Sequence, residues 1–162
     1  MRSTYLLSLA LVALTMPAFA QSNNTAQGDP AAGKDAFRPC SACHDAGPDP
    51  HSRMGPYLTG VVGRPAASVD GFTYSKAMIA ARDAGLVWTP EALDAFLQGP
   101  REFVPGTKMP EVLVRDETAR RDLIAYLMSV SPDFDPETQI STYTPPGGGD
   151  ASAASAAPSS PQ

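Results

Sequence analysis

The chain has 162 residues, enough for one domain of ordinary size and too few for two comfortable ones. With 12 basic against 17 acidic side chains the net charge is −5, which excludes the basic face a nucleic-acid binder needs. Two cysteines exclude a small domain stapled by several disulfides, and 17 prolines with 13 glycines favour loops over long regular sheets.

In chain order, residues 1–20 read as a signal peptide: Arg2, an apolar run from Tyr5 to Met16, then Ala18-Phe19-Ala20. Cleavage after Ala20 would leave a mature chain exported from the cytoplasm, with 21–27 a flexible lead-in. The run is short for a membrane span, and an uncleaved anchor is the alternative. Residues 28–130 form the expected domain. Asp29-Pro30 is an N-cap followed by proline, opening a helix through Gly33 and Phe37. Ser75 to Ala84 reads as a second helix closed by Gly85. Thr89-Pro90-Glu91 repeats the capping pattern, with Leu93, Phe96 and Leu97 on one face. Asp116 to about Ser129 is the strongest helix, with Leu123, Ile124, Leu127 and Met128 inward and Arg120-Arg121 outward.

Segments 45–65 and 99–110 read as loops, and nothing alternates like a sheet. Residues 131–162 form a Pro/Gly/Ala/Ser-rich tail, carrying Asp133, Asp135, Glu137 and Asp150 but no basic residue. That composition predicts a largely disordered tail whose loss leaves the domain unchanged, although Phe134, Ile140 and Tyr143 could pack locally. Four short helices with two long loops make an awkward compact domain, unless the loops wrap a large apolar cofactor.

Cys40-Ser41-Ala42-Cys43-His44 is the CxxCH pattern that attaches c-type haem. On one helical turn the two thiols lie on the same side and can reach both vinyl groups of a porphyrin. His44 follows, where its imidazole can ligate iron. A redox dithiol would want a βαβ context, half a zinc site would want two more ligands, and a plain disulfide is the remaining alternative. The second axial position could be taken by methionine, a second histidine or nothing. Met128 and Met78 fall on helices and read as core, while Met54 is close to the attachment site. Met109 lies in the stiff loop Pro105-Gly106-Thr107-Lys108-Met109-Pro110, which suits a positioned thioether, with an exposed loop methionine as the lesser alternative.

Together these residues resemble the class I cytochromes c, from about Gly28 to Val130. Gly28-Asp29, Gly33 and Phe37 resemble that family's first helix, with Gly33 allowing close packing on Leu123 and Tyr126 of the last. Gly55-Pro56 and Gly60-x-x-Gly63-Arg64 resemble the loop beside the proximal histidine. Gly71-Phe72-Thr73-Tyr74-Ser75 and Trp88 resemble the surroundings of the haem propionates. Pro105 to Met109 resembles the ligand loop, and Asp122 to Leu127 the final helix.

The resemblance implies an all-α cytochrome c fold, about four to five short helices and long loops around one covalent haem c. It implies Cys40 and Cys43 as thioether sites, with His44 and Met109 as axial ligands. The Pro56 carbonyl would accept the His44 N–H, and Arg64, Tyr74 and Trp88 would partner the propionates. Phe96 and Thr107 would complete the pocket. The implied function is a periplasmic one-electron carrier and not an enzyme. It would be monomeric and would serve a cytochrome bc complex, a terminal oxidase, a reaction centre or a periplasmic dehydrogenase.

A haem enzyme or ligand sensor with an open iron position, or a membrane-tethered relay, are the alternatives. Three departures stand out. Phe96 stands where many members have a tyrosine near the methionine sulfur, Met78 where many have an asparagine, and the ring of lysines used for docking is thinned. His51 reads as structural or solvent-exposed, not as a ligand.

Overall fold

Helix α1 (Pro30–Ala36) begins where the sequence places its cap. The Asp29 carboxylate accepts the Ala31 N–H at 2.8 Å, and Pro30 fills the first helical position, where no N–H is needed. The computed structural model describes residues 28–110 and 114–146. The signal peptide, the lead-in 21–27 and the last part of the tail lie outside those residues. Among the described residues the elements are α1, a 3₁₀ turn at Cys40–Ala42, α2 (Lys76–Asp83), α3 (Pro90–Gln98), α4 (Pro100–Phe103) and α5 (Glu117–Ser129). The only β features among them are two isolated bridges, His44 with Ser52 and Pro65 with Val87. No described helix is long and apolar enough to cross a membrane.

The frame is the crossing of α1 on α5. A Cβ on Gly33 would collide with the Asp122 carbonyl and the Tyr126 side chain, so only glycine lets the backbones come this close. The Asp29 N–H donates to Asp122 Oδ1 at 2.7 Å, and the Phe37 and Tyr126 rings meet at 5.5 Å. Each remaining long helix is capped by the residue expected. Ser75 accepts from Met78, Thr89 from Ala92 and Asp116 from Ala119, contacts worth about 1 kcal/mol each. Helix α3 buries Ala92, Leu93, Phe96 and Leu97, and α5 buries Leu123, Ile124, Ala125 and Leu127.

Two expectations are corrected. The segment 99–110 contains the one-turn helix α4, nucleated by Pro100 directly after α3 ends at Gly99. Arg120 does not face solvent. It is 6 % exposed, with its Nε donating to Asp94 Oδ1 at 2.5 Å and its Nη1 to the Val114 and Arg115 carbonyls at 2.9 and 3.3 Å. A guanidinium can enter a core when its N–H groups all find acceptors, and these acceptors come from outside its helix.

Of the three tail residues named as able to pack locally, Phe134 and Tyr143 do so, while Ile140 is exposed. Residues 131–146 lie as a strap on the core, with Ser131 buried and Phe134 and Tyr143 packed against the apolar cluster. Its hold comes from serine and threonine bonded to loop backbone, a pattern that composition reads as disorder.

Candidate functional site

The loops and helices enclose a cavity of about 410 Å³ with mainly apolar walls. Cys40, Cys43, His44, Pro56, Arg64, Tyr74, Trp88, Phe96, Thr107 and Met109 all line it. The sequence had singled out each of these, and the structure brings all of them together.

The attachment segment is built locally. The Cys43 and His44 N–H groups both donate to the Cys40 carbonyl, at 3.0 and 2.9 Å, making one tight turn that carries both thiols and the imidazole. Neither cysteine is in a disulfide, and burial pushes the Cys40 thiol above its ordinary value. His44 Nδ1 donates to the Pro56 carbonyl at 2.6 Å, which fixes the tautomer and leaves Nε2 as the free donor atom. Burial lowers the His44 pKa, and the bond to Pro56 opposes that fall. The ring lies directly over Gly55, where a Cβ would strike Cε1, Nδ1 and Nε2. The Gly55 N–H donates to the Cys43 carbonyl at 2.9 Å, so the loop is tied back to the turn it supports.

Arg64 is half-buried without a carboxylate partner among the described residues. Its Nη1 and Nη2 donate to the Thr59 and Tyr57 carbonyls at 3.0 and 2.8 Å, and the guanidinium lies over the Tyr57 ring at 5.1 Å. Burial lowers its pKa, while the nearby Tyr74 and Tyr57 act the other way. A half-buried cation of this kind favours an anionic group in the cavity. Tyr74 packs edge-on against Phe72 and its hydroxyl accepts the Val69 N–H at 3.3 Å. Trp88 is buried, with its ring 4.9 Å from Phe96, which in turn meets Phe103 at 6.1 Å. Phe96 therefore supplies an apolar wall and offers no hydrogen bond. Met109 is partly buried against the core, and its N–H donates to Thr107 Oγ1 at 3.3 Å.

Among the other methionines, Met78 is buried and lines the cavity, and Met54 lines it while 76 % exposed. His51 is exposed, with its backbone N–H bonded to Asp45. Sequence reading did not single out Leu58 or Val61 as side chains of the cavity wall, whereas Phe72 was named in the segment resembling the propionate surroundings. Leu93 and Leu97 were legible as a helix face, though not as part of this wall. The loop residues Leu58 and Val61 carry no periodicity that could have marked them.

No family model matches the chain. It is 42 % identical over 118 residues to a cytochrome c2 from Afifella marina, covering 73 % of this chain and 95 % of the relative. Cytochrome c2 iso-2 from Rhodospirillum centenum is 41 % identical over 118 residues, 65 % of this chain and 98 % of the relative. The chain belongs to the class I cytochromes c. A solved cytochrome c2 from Rhodospirillum centenum superposes with a TM-score of 0.61 at 42 % identity, over 65 % of this chain and all of that one. Cytochrome cH from Methylobacterium extorquens gives 0.56 at 41 %, over 63 % of this chain and 99 % of the other.

As a member of this family the chain is an electron carrier with one covalently attached haem c, and Cys40 and Cys43 supply the matching motif. The residues present fit that group. The cavity walls are apolar, both thiols come from one turn, Gly55 leaves room for the imidazole, and Arg64 supplies a cation for an acidic edge.

Proposed function

We propose that this chain works as a periplasmic shuttle in which Cys40 and Cys43 would form the thioethers and His44 and Met109 would ligate the iron. One observation carries the reading: both thiols, the imidazole and the Met109 thioether line a single apolar cavity. When bound, the haem supplies a one-electron couple at its iron.

The chain's own residues bind it, orient it and keep water away. The Pro56 carbonyl holds the His44 proton on Nδ1, so the other nitrogen stays available as a ligand. Arg64, Tyr74 and Trp88 are assigned to the propionates, with Arg64 offsetting their charge. Phe96, Leu93 and Leu97 exclude solvent from the interior, and Thr107 orients the backbone of Met109. No substrate is bound and no bond is made or broken, so the protein is read as a carrier and not an enzyme.

The partners are membrane or periplasmic redox proteins: a cytochrome bc complex, a terminal oxidase, a reaction centre or a periplasmic dehydrogenase. Residues 1–20 act as a cleaved signal peptide and the protein works as a monomer. Lys108 is the one lysine lining the cavity, whose lining also includes the exposed Met54 and Pro110. Docking is therefore more apolar than in a lysine-ringed carrier, and electron transfer should slow only modestly with added salt.

Replacing Met109 by alanine tests the ligand assignment. The variant should keep its covalent haem, become high-spin and bind carbon monoxide rapidly after reduction. Survival of the near-infrared sulfur-to-iron band in that variant would refute the assignment. Rapid carbon monoxide binding by the unaltered reduced protein would favour an enzyme or sensor with an open position.

A further inference from the structure

The strap that follows α5 is fastened in stages and ends on the segment leading to Met109. Its first anchor is Ser131, whose hydroxyl donates to the Leu127 carbonyl at 2.8 Å and accepts the Val62 N–H at 3.1 Å. The preceding Val130 carbonyl accepts the Gly60 N–H at 2.8 Å. Further along, Ser141 Oγ accepts the Val87 N–H at 3.2 Å and the Thr142 N–H donates to the Gly85 carbonyl at 3.1 Å. After these two fastenings, the Tyr143 hydroxyl donates to the Phe103 carbonyl at 2.8 Å, with the two rings 5.3 Å apart.

Phe103 is the last residue of α4, a helix of one turn whose final carbonyls have no following helical N–H to accept. The next residue, Val104, is buried, and its carbonyl accepts the Thr107 N–H at 3.0 Å. Thr107 then holds the Met109 N–H. Pro105, Gly106, Lys108 and Pro110 are all exposed, so the loop has little packing of its own. The Phe103 ring also backs Phe96, which lines the cavity. Through Phe103, Tyr143 therefore reaches both the root of the Met109 loop and the aromatic wall.

We propose that Tyr143 is a positioning residue for the Met109 loop, its hydroxyl and ring fixing where residues 104–110 leave α4. This rests on the reading of Met109 as an axial ligand. The strap is then part of the haem-holding machinery, and the loop draws its rigidity from a residue more than thirty positions downstream in the chain.

The test uses full-length oxidised holoprotein and Tyr143→Phe, which keeps the ring and removes only the hydroxyl. Imidazole is the probe, because it can take the position assigned to Met109 only when the loop opens. Loss of one net hydrogen bond corresponds to roughly a two- to tenfold change in such an opening equilibrium. Imidazole affinity should rise by about that factor in Tyr143→Phe and further in Tyr143→Ala. Thr138→Ala removes a bond made wholly inside the strap, to Asp135, and should leave the affinity unchanged.

Unchanged affinity in Tyr143→Phe would overturn the proposal, even if the global denaturation midpoint fell, because that pattern is a purely structural role. An equal rise in Thr138→Ala would also overturn it, by assigning the effect to the strap at large. If the unaltered protein lacks the sulfur-to-iron band, the Met109 reading falls and this inference with it. If the band is present while affinity stays fixed, only the role of Tyr143 falls.

Discussion

His44 and Met109 line one cavity but are held there by different means. The imidazole sits in a short stretch of chain that largely positions itself: one turn from Cys40, a bond to Pro56 twelve residues on, and Gly55 pressed beneath the ring. Met109 sits on a loop with exposed prolines at both ends, steadied by Thr107 and fastened from outside. Its root is held by Tyr143, and where the described chain resumes at Val114 and Arg115 their carbonyls accept from Arg120. Short-range contacts cost little loop-closure entropy, whereas the Tyr143–Phe103 fastening closes a stretch of 40 residues. The lesson is that a disturbance anywhere in α4, α5 or the strap should reach the thioether side first.

The largest effect is expected at Gly55. Gly55→Ala places a methyl on the His44 ring, so both local packing and the bond to Pro56 are lost, about 2–4 kcal/mol together. The yield of holoprotein with a normal low-spin spectrum should collapse, as read by haem content and absorption after purification. If the His44 side were as adaptable as the Met109 side, that variant would instead assemble normally.

Ending the chain after Val130 comes next. Removing the strap bonds at Val62, Val87, Gly85 and Phe103 should lower unfolding stability by roughly 2–3 kcal/mol while haem attachment persists. Imidazole affinity should rise in parallel. Unaltered stability in denaturant titration would show that the strap is not part of the domain. Arg120→Met should cost about 2 kcal/mol, since it strips the Val114 and Arg115 carbonyls of their donor and leaves Asp94 without its partner. Here the imidazole response should again exceed any change in the His44–Pro56 contact, which the Nδ1 proton resonance reports.

The smallest effect concerns pH. Burial raises the Tyr143 hydroxyl above its ordinary value near 10, so the folded protein favours its neutral form. A raised folded-state pKa gives a contribution that is complete below the unfolded value and lost as pH climbs through the folded one. Stability should therefore fall at strongly alkaline pH by a small amount that Tyr143→Phe removes. A matching decline in that variant would assign the effect to other tyrosines.

How much of this was legible in the sequence follows the same division. The Cys40–His44 pentapeptide and the capping residues act over a few positions, so their chemistry can be read directly from the order of residues, while the role of Gly55-Pro56 came from the resemblance. Gly33 was legible through the resemblance to the family's first helix, and its lack of a Cβ is the physical reason for the close crossing. Arg120 was misread because arginine on a helix is ordinarily a surface residue. Only the convergence of Asp94 with two loop carbonyls, none on its own helix, makes burial tolerable. The strap was only partly legible for a related reason. Ser131, Ser141 and Thr142 look like linker composition, and their function lies in backbone groups of loops more than fifty residues away. The single-turn helix at Pro100 was hidden inside a Pro- and Gly-rich stretch whose composition otherwise signals a loop.

Proton resonance spectra of the reduced holoprotein test the central assignment most directly, because a methionine methyl held over a haem ring is shifted far upfield. With methionines substituted one at a time, the account predicts that this resonance disappears only in the Met109 variant. A shifted methyl traced to Met54 or Met78, or no shifted methyl at all, would contradict it.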